Sequence, residues 1–172
     1  MRVKNRWLGL LSILAVLSLT AGIWGPALAK EDNTAYFDIV FQEPAEVFLG
    51  KGGVFMVSSN YTGSAGITRK DPSGLYPAKD LVFVERWIEF RIYDPKGVAF
   101  PTLWGFNYVY FNLTSETRKM VDGGDLKIYQ WDTSKSSWTE CPTLLVATEN
   151  QPHGRAACVM TRFGLYGLGY EK

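Results

Sequence analysis

Glycine and proline interrupt this chain so often that long helices are excluded from most of it. The marks fall at Pro44, Gly50, Gly52-Gly53, Gly63, Gly66, Pro72, Gly74, Pro77, Pro95, Gly97, Pro101, Gly105, Gly123-Gly124, Pro142, Pro152 and Gly154. A helix interior loses about 1 kcal/mol to a glycine and about 3 to a proline. Most intervals between the marks hold a strand and are too short for a helix. Short strands separated by turn signals predict a sandwich or barrel. We expect an all-β chain, an antiparallel β-sandwich.

Hydrophobic periodicity agrees. Glu85 to Tyr93 alternates, with Ile88, Phe90 and Ile92 on one face and Arg86, Glu89 and Arg91 flanked by Trp87 and Tyr93 on the other. Period 2 marks a strand with one buried face. Asp94-Pro95-Lys96-Gly97 supplies a turn with proline second and glycine fourth. Trp104 to Leu113 carries apolar or aromatic residues on both faces, which predicts a central strand. Leu126 to Trp131 alternates again and leads into a polar hairpin loop at 132–137, and Tyr36 to Phe41 and Val54 to Ser58 read as further strands. Gly50-Lys51-Gly52-Gly53 lacks a following helix signature, so a hairpin turn is expected there and not a phosphate cradle. Thr114 to Met120 is the one helix-like run, with Ser115 as its cap. Residues 59–80 show no clear period and are expected to form a long loop, functional or mobile.

The first 29 residues have the architecture of a secretory signal. Arg2, Lys4 and Arg6 precede an apolar run from Trp7 to Ala21, and Ala27-Leu28-Ala29 offers a small-x-small cleavage site. We expect a signal-peptide helix over 1–29, cleavage after Ala29, and a single domain over 30–172. Contact with a membrane would come only through an uncleaved signal. The whole chain has 18 Lys and Arg against 17 Asp and Glu, and removing the three basic residues of the signal leaves 15 against 17, a net charge of about −2. No basic excess remains to serve a phosphate backbone, so nucleic acid is not expected as a partner.

Export places the only two cysteines, Cys141 and Cys158, in an oxidising compartment, where they read as one structural disulfide. Their spacing does not fit a Cys-x-x-Cys redox motif. Closing a loop of that length stabilises a fold by about 3 kcal/mol in the chain-entropy model. A single histidine, His153, lies in the turn-like sequence Gln151-Pro152-His153-Gly154, and it limits any Ser-His-Asp or Cys-His arrangement to that residue. One histidine with two oxidised cysteines supplies no zinc site. Glu85, Glu89, Asp94 and Glu140 are available as carboxylates, yet none can be paired across a cleft as glycoside hydrolysis requires. Asp122, Asp125 and Asp132 match no established calcium loop. No catalytic residue, metal or cofactor is expected. The candidate binding surface is aromatic, Trp87, Trp104, Tyr108, Tyr110, Trp131 and Trp138, since these with Tyr166 and Tyr170 exceed what one face of a small sandwich needs to bury.

Four segments of residues 82–170 occur in a familiar order. Gly97-Val98-Ala99-Phe100-Pro101 ends a strand, Trp104 to Leu113 forms the next, Asp-Leu-Lys-Ile-Tyr-Gln-Trp-Asp at 125–132 closes with Trp138, and Thr-Arg-Phe-Gly-Leu-Tyr-Gly-Leu-Gly occupies 161–169. In this the chain resembles the ZU5-like β-sandwich module of secreted and surface bacterial proteins. The resemblance covers about half the chain. It departs near 45–60, where Gly50-Lys51-Gly52-Gly53 replaces the family's hydrophobic strand and turn. Such modules are interaction or spacer domains, which implies no enzyme. The expected function is therefore an exported, non-enzymatic binding or structural module whose partner is a protein or polysaccharide at the cell exterior. The alternative is a carbohydrate-binding module, which requires two or more of Trp87, Trp104, Trp131 and Trp138 to lie exposed and coplanar.

Overall fold

Strands form where the sequence alternates, and also in places where it does not. A computed structural model describes residues 33–71 and 74–172. The expected signal over 1–29, with its cleavage after Ala29, lies outside the described residues. The described chain contains strands β1 (Thr34–Ile39), β2 (Ala45–Leu49), β3 (Gly52–Met56), β4 (Gly63–Lys70), β5 (Leu81–Phe83), β6 (Trp87–Tyr93) and β7 (Asn107–Asn112). A short helix, α1 (Ser115–Asp122), then precedes β8 (Lys127–Asp132), β9 (Ser137–Cys141), β10 (Leu144–Thr148), β11 (Gln151–Val159) and β12 (Gly164–Glu171).

The strands make two antiparallel sheets. The first runs β1-β4-β6-β12-β8-β9, with β5 also paired to β12, and the second runs β10-β11-β7-β3-β2. Ile88, Phe90 and Ile92 of β6 point into the sandwich together with Ala65 and Ile67 of β4 and Tyr166 and Leu168 of β12. Val54, Val109, Phe111, Ala156 and Cys158 meet them from the second sheet. Each fully buried side chain of this size stabilises the fold by about 1.5–3 kcal/mol relative to exposure, so the two inner faces supply the main driving force. As expected from its doubly apolar sequence, β7 is central, between β11 and β3.

The disulfide forms between Cys141 and Cys158, with the Cα atoms 6.1 Å apart. Its place explains its use. β9 belongs to the first sheet and β10 to the second, so the chain changes sheets at Pro142-Thr143. Thr143 Oγ1 braces that corner by donating to the Cys141 carbonyl (2.9 Å) and accepting from Ile128 N–H (2.8 Å). Cys158 on β11 then ties the end of β9 covalently to the opposite sheet.

Four sequence expectations need correction. The stretch 59–80 is not one long loop, because β4 occupies 63–70, paired to β1 on one side and β6 on the other. Its Gly-Ser-Ala-Gly opening hides the period, and Gly66 is small because a Cβ there would lie 2.9 Å from the Tyr36 ring. The strand expected from Trp104 begins only at Asn107. Gly105 turns the chain with φ +88°, and Asn107 Nδ2 donates to the Trp104 and Gly105 carbonyls at 3.0 and 3.3 Å. The helix is capped by Thr114, not Ser115, through a reciprocal box with Thr117. His153 lies in β11 and not in a turn, next to Gly154, whose φ of +73° accompanies a register shift between β10 and β11.

Replacing Cys158 with Ser is expected to lower unfolding free energy by about 3 kcal/mol, read as an earlier urea midpoint with a slope equal to or steeper than that of the native chain, because the unfolded state is no longer cross-linked. Adding reductant to the native chain should reproduce the shift. An unchanged midpoint in both experiments contradicts the structural role of the bond.

Candidate functional site

Each sheet has an outer face, and the two are built differently. On the first sheet, alternation turns Trp87 of β6, Trp131 of β8, Leu165 of β12 and Trp138 of β9 away from the main core. They are nevertheless covered, because the segment entering β6 lies over them as a second small core. Phe83 of β5 lies on Gly167 and Gly169 of β12; a Cβ at Gly167 would sit 2.5 Å from the Phe83 ring and 2.8 Å from Trp87. Tyr76 meets Trp87 and Trp131 edge-on, with ring centroids 5.9 and 5.3 Å away. Trp138 donates its indole N–H to the Tyr76 carbonyl at 3.4 Å.

This arrangement decides the fate of the aromatic candidates. Trp87 and Trp131 are buried and Trp138 is half-buried. Trp138 is inclined 52° to Trp87 and 70° to Trp131. Trp104 alone of the four is exposed, at 63%. No two of these indoles form an exposed coplanar pair. The remainder of this outer face is mixed, with Glu89 between Lys70 and Arg91 and the Tyr36 and Tyr93 rings packed together over Gly66.

The outer face of the second sheet is different. Tyr110 of β7 lies flat over Gly53 of β3, where a Cβ would come within 2.3 Å of the ring. Its hydroxyl donates to Glu46 on β2 at 2.7 Å. The Arg155 guanidinium from β11 stacks 4.0 Å above the same ring, a cation–π contact. Arg155 also donates to Glu46 (2.8 Å) and to Asn112 (3.0 Å). Burial, followed by the hydrogen bond to the Glu46 carboxylate, pushes the Tyr110 hydroxyl well above the ordinary tyrosine value. It remains a neutral donor at any physiological pH. The result is a polar rung across an otherwise apolar surface.

Around that rung stand Phe48, Phe55, Val57, Phe106, Leu144, Val146 and Val159, seven of the thirteen large hydrophobic side chains exposed among the described residues. Scattered exposed apolar residues need no explanation, but a contiguous face of them marks an interaction surface. Of the sequence candidates, Tyr108 and Tyr110 belong to this face and Trp104 stands at its end. Phe48, Phe55, Glu46, Asn112 and Arg155 were missed. Their only trace in the sequence is the doubly apolar character of β7, which predicts a covered outer face that this structure leaves open.

The carboxylates considered for catalysis are engaged elsewhere. Glu85 pairs with Lys51 (2.5 Å) and Glu140 with Lys127 (2.9 Å), and Asp94 accepts from the backbone N–H groups of Lys96 and Val98 in its turn. Asp132 accepts from the Ser134 hydroxyl at 2.6 Å and from Arg162 at 3.2 Å. The Ser134 hydroxyl first, and then Arg162, hold its carboxyl well below the usual carboxylate range, against the opposing effect of burial. Among the described residues, no three His, Cys, Asp or Glu side chains converge as metal ligands, and no helix is long and apolar enough to cross a membrane. Compared with known proteins, the chain matches no family model and no curated protein.

Because the folded state depresses the Asp132 pKa, its stabilising contribution is complete above the unfolded value of about 4 and declines as pH falls through the folded value. Asp132→Asn should lower the melting temperature at pH 7. It should also flatten the acid branch of the stability curve below about pH 4 relative to the native chain. Identical acid branches contradict the assignment.

Proposed function

We propose that this protein is an exported, non-enzymatic β-sandwich that works by presenting the outer face of its second sheet to a partner at the cell exterior. The observation that carries the reading is the contiguous apolar surface on β10, β11, β7, β3 and β2, crossed by the Glu46–Tyr110–Arg155 rung. Its composition is that of an interface centre, where aromatic residues and arginine are enriched and other charges depleted. The disulfide supports an extracytoplasmic location, since such bonds persist in oxidising compartments. The resemblance to ZU5-like interaction modules points the same way. Against an enzymatic role stand the engaged carboxylates and the single histidine, held within a strand.

A carbohydrate-binding role is the second reading; the exposed coplanar tryptophan pair expected for it is not formed, so it rests on single exposed rings. Trp104 and Phe106 stand 63% and 70% exposed in the segment that enters β7, and exposed aromatic rings suit stacking against sugar rings. The buried tryptophans of the first sheet take no part in it.

Phe48→Ser/Phe55→Ser tests the main reading in the cells that produce the protein. The native chain is expected in the exterior fraction as a species larger than a monomer or held at the cell surface. The folded double variant should appear as free monomer, with association weakened at least about 30-fold. Equal size and equal retention of the two chains would falsify the reading.

A further inference from the structure

We propose that the outer face of the second sheet is the contact surface of a homodimer, two copies facing each other about a two-fold axis that runs along β7. This rests on the binding reading above and names its partner.

The first argument is the distribution of residues across the sheet. In the order β10-β11-β7-β3-β2, one row of paired residues reads Leu144, Ala157, Tyr110, Gly53, Phe48. The adjacent row places Val159 and Phe55 on opposite sides of Tyr108. In these two rows β7 thus divides the face into an aliphatic flank and an aromatic flank, with Val57 added at the end of the aromatic side. Rotation by 180° about β7 lays the aromatic flank of one copy on the aliphatic flank of the other, in the same rows. Phe48 then meets Leu144 and Phe55 meets Val159, each contact occurring twice, as an isologous interface requires. Aromatic rings meet aliphatic side chains across the seam, as facing sheets interdigitate at their spacing of about 10 Å.

The second argument is area. With about 150–250 Å² for a whole aromatic side chain, the exposed fractions of Phe48 (64%), Phe55 (36%) and Phe106 (70%), together with the four aliphatic residues, give roughly 600 Å² per copy. A standard specific interface takes about 800 Å² from each partner, so the open face is close to the size a dimer of this kind uses.

Charge is the third. Of the outward positions on these five strands, only Glu46 and Arg155 are charged, and they pair with each other at 2.8 Å. The face is neutral over these strands, and Lys51, which borders it in the row of Asn112 and Arg155, is itself paired with Glu85. The first sheet is the contrast, since its uncovered outer face sets Lys70, Glu89 and Arg91 beside the Tyr36–Tyr93 pair, a mix of charge and aromatic surface.

Sedimentation equilibrium of the exported, disulfide-intact chain tests the proposal. The expected result is a reversible monomer–dimer equilibrium. Phe48→Lys and Leu144→Glu should each raise the dissociation constant at least about 30-fold, the loss of a hot-spot contact, while both exposed substitutions leave the melting temperature of the monomer in place. Mixing the two variants should restore a heterodimer to within about 10-fold of the native affinity, because the introduced ammonium of one chain then faces the introduced carboxylate of the other and the second contact is native. Three results overturn the proposal: a chain monomeric at every concentration, a dimer indifferent to both substitutions, or variants that fail to complement. A monomer whose Trp104 fluorescence responds to added polysaccharide also overturns it, and leaves the binding reading standing. Should the chain be monomeric and the double serine variant also behave as native in the exterior fraction, both readings fail.

Discussion

The first sheet depends on its last strand. β12 pairs with β6 through Gly164 to Tyr166 and with β5 through Gly169 to Glu171, while its other edge takes β8 through Tyr166 to Gly169. Without it, β1, β4 and β6 would be separated from β8 and β9. Tyr166 shows how tightly the position is held: its hydroxyl donates to the Arg162 carbonyl (2.7 Å) and lies 2.6 Å from the Gln130 amide. Burial raises its pKa well above the ordinary tyrosine value, so the phenol remains neutral in the core. With the last strand at the centre of a sheet, the topology is strongly non-local. Folding must close long loops before that strand is rewarded for pairing.

Two chemically distinct outer faces follow from the same sandwich. On the first sheet, glycine at 167 and 169 lets Phe83 lie directly on the backbone of β12, and Tyr76 completes a small aromatic core above the strands. On the second sheet, Gly53 plays a similar part by letting Tyr110 lie flat, and the Arg155 guanidinium stacks above that ring. Aromatic content alone therefore says little about binding. The three tryptophans with the strongest sequence signal stabilise the fold, whereas phenylalanines on short, weakly patterned strands make the exposed surface.

How legible this was depended on how local the cause was. β6 and β8 were readable because their own alternation determines which side chains are buried. The hairpin at Gly50-Lys51-Gly52-Gly53 was readable because a turn is a local event, and φ at Gly50 is +66°. β4 was not, since small residues over Tyr36 give no hydrophobic period and its identity as a strand comes from both neighbours. The cover over Trp87 and Trp131 was not readable either, because it is made by Tyr76 and Phe83 from an irregular segment whose path the period-2 pattern does not reveal. Arg155 lay hidden for a similar reason. It reaches Glu46 across more than a hundred residues of sequence and two intervening strands, a relation that only the register of β2, β3, β7 and β11 creates.

The Cys141–Cys158 bond also sets how this molecule answers to force. If its two ends are pulled apart, the load runs through β1 and β12 and the hydrogen bonds that hold the first sheet. The chain between the two cysteines, with β10 and the Gly154 irregularity, forms a covalent ring that the load bypasses. Roughly 50 Å of contour length is thereby withheld from extension. Stretching would strip the first sheet while part of the second stayed closed, leaving β10 and the end of β11 tethered as a remnant from which the sandwich can reform.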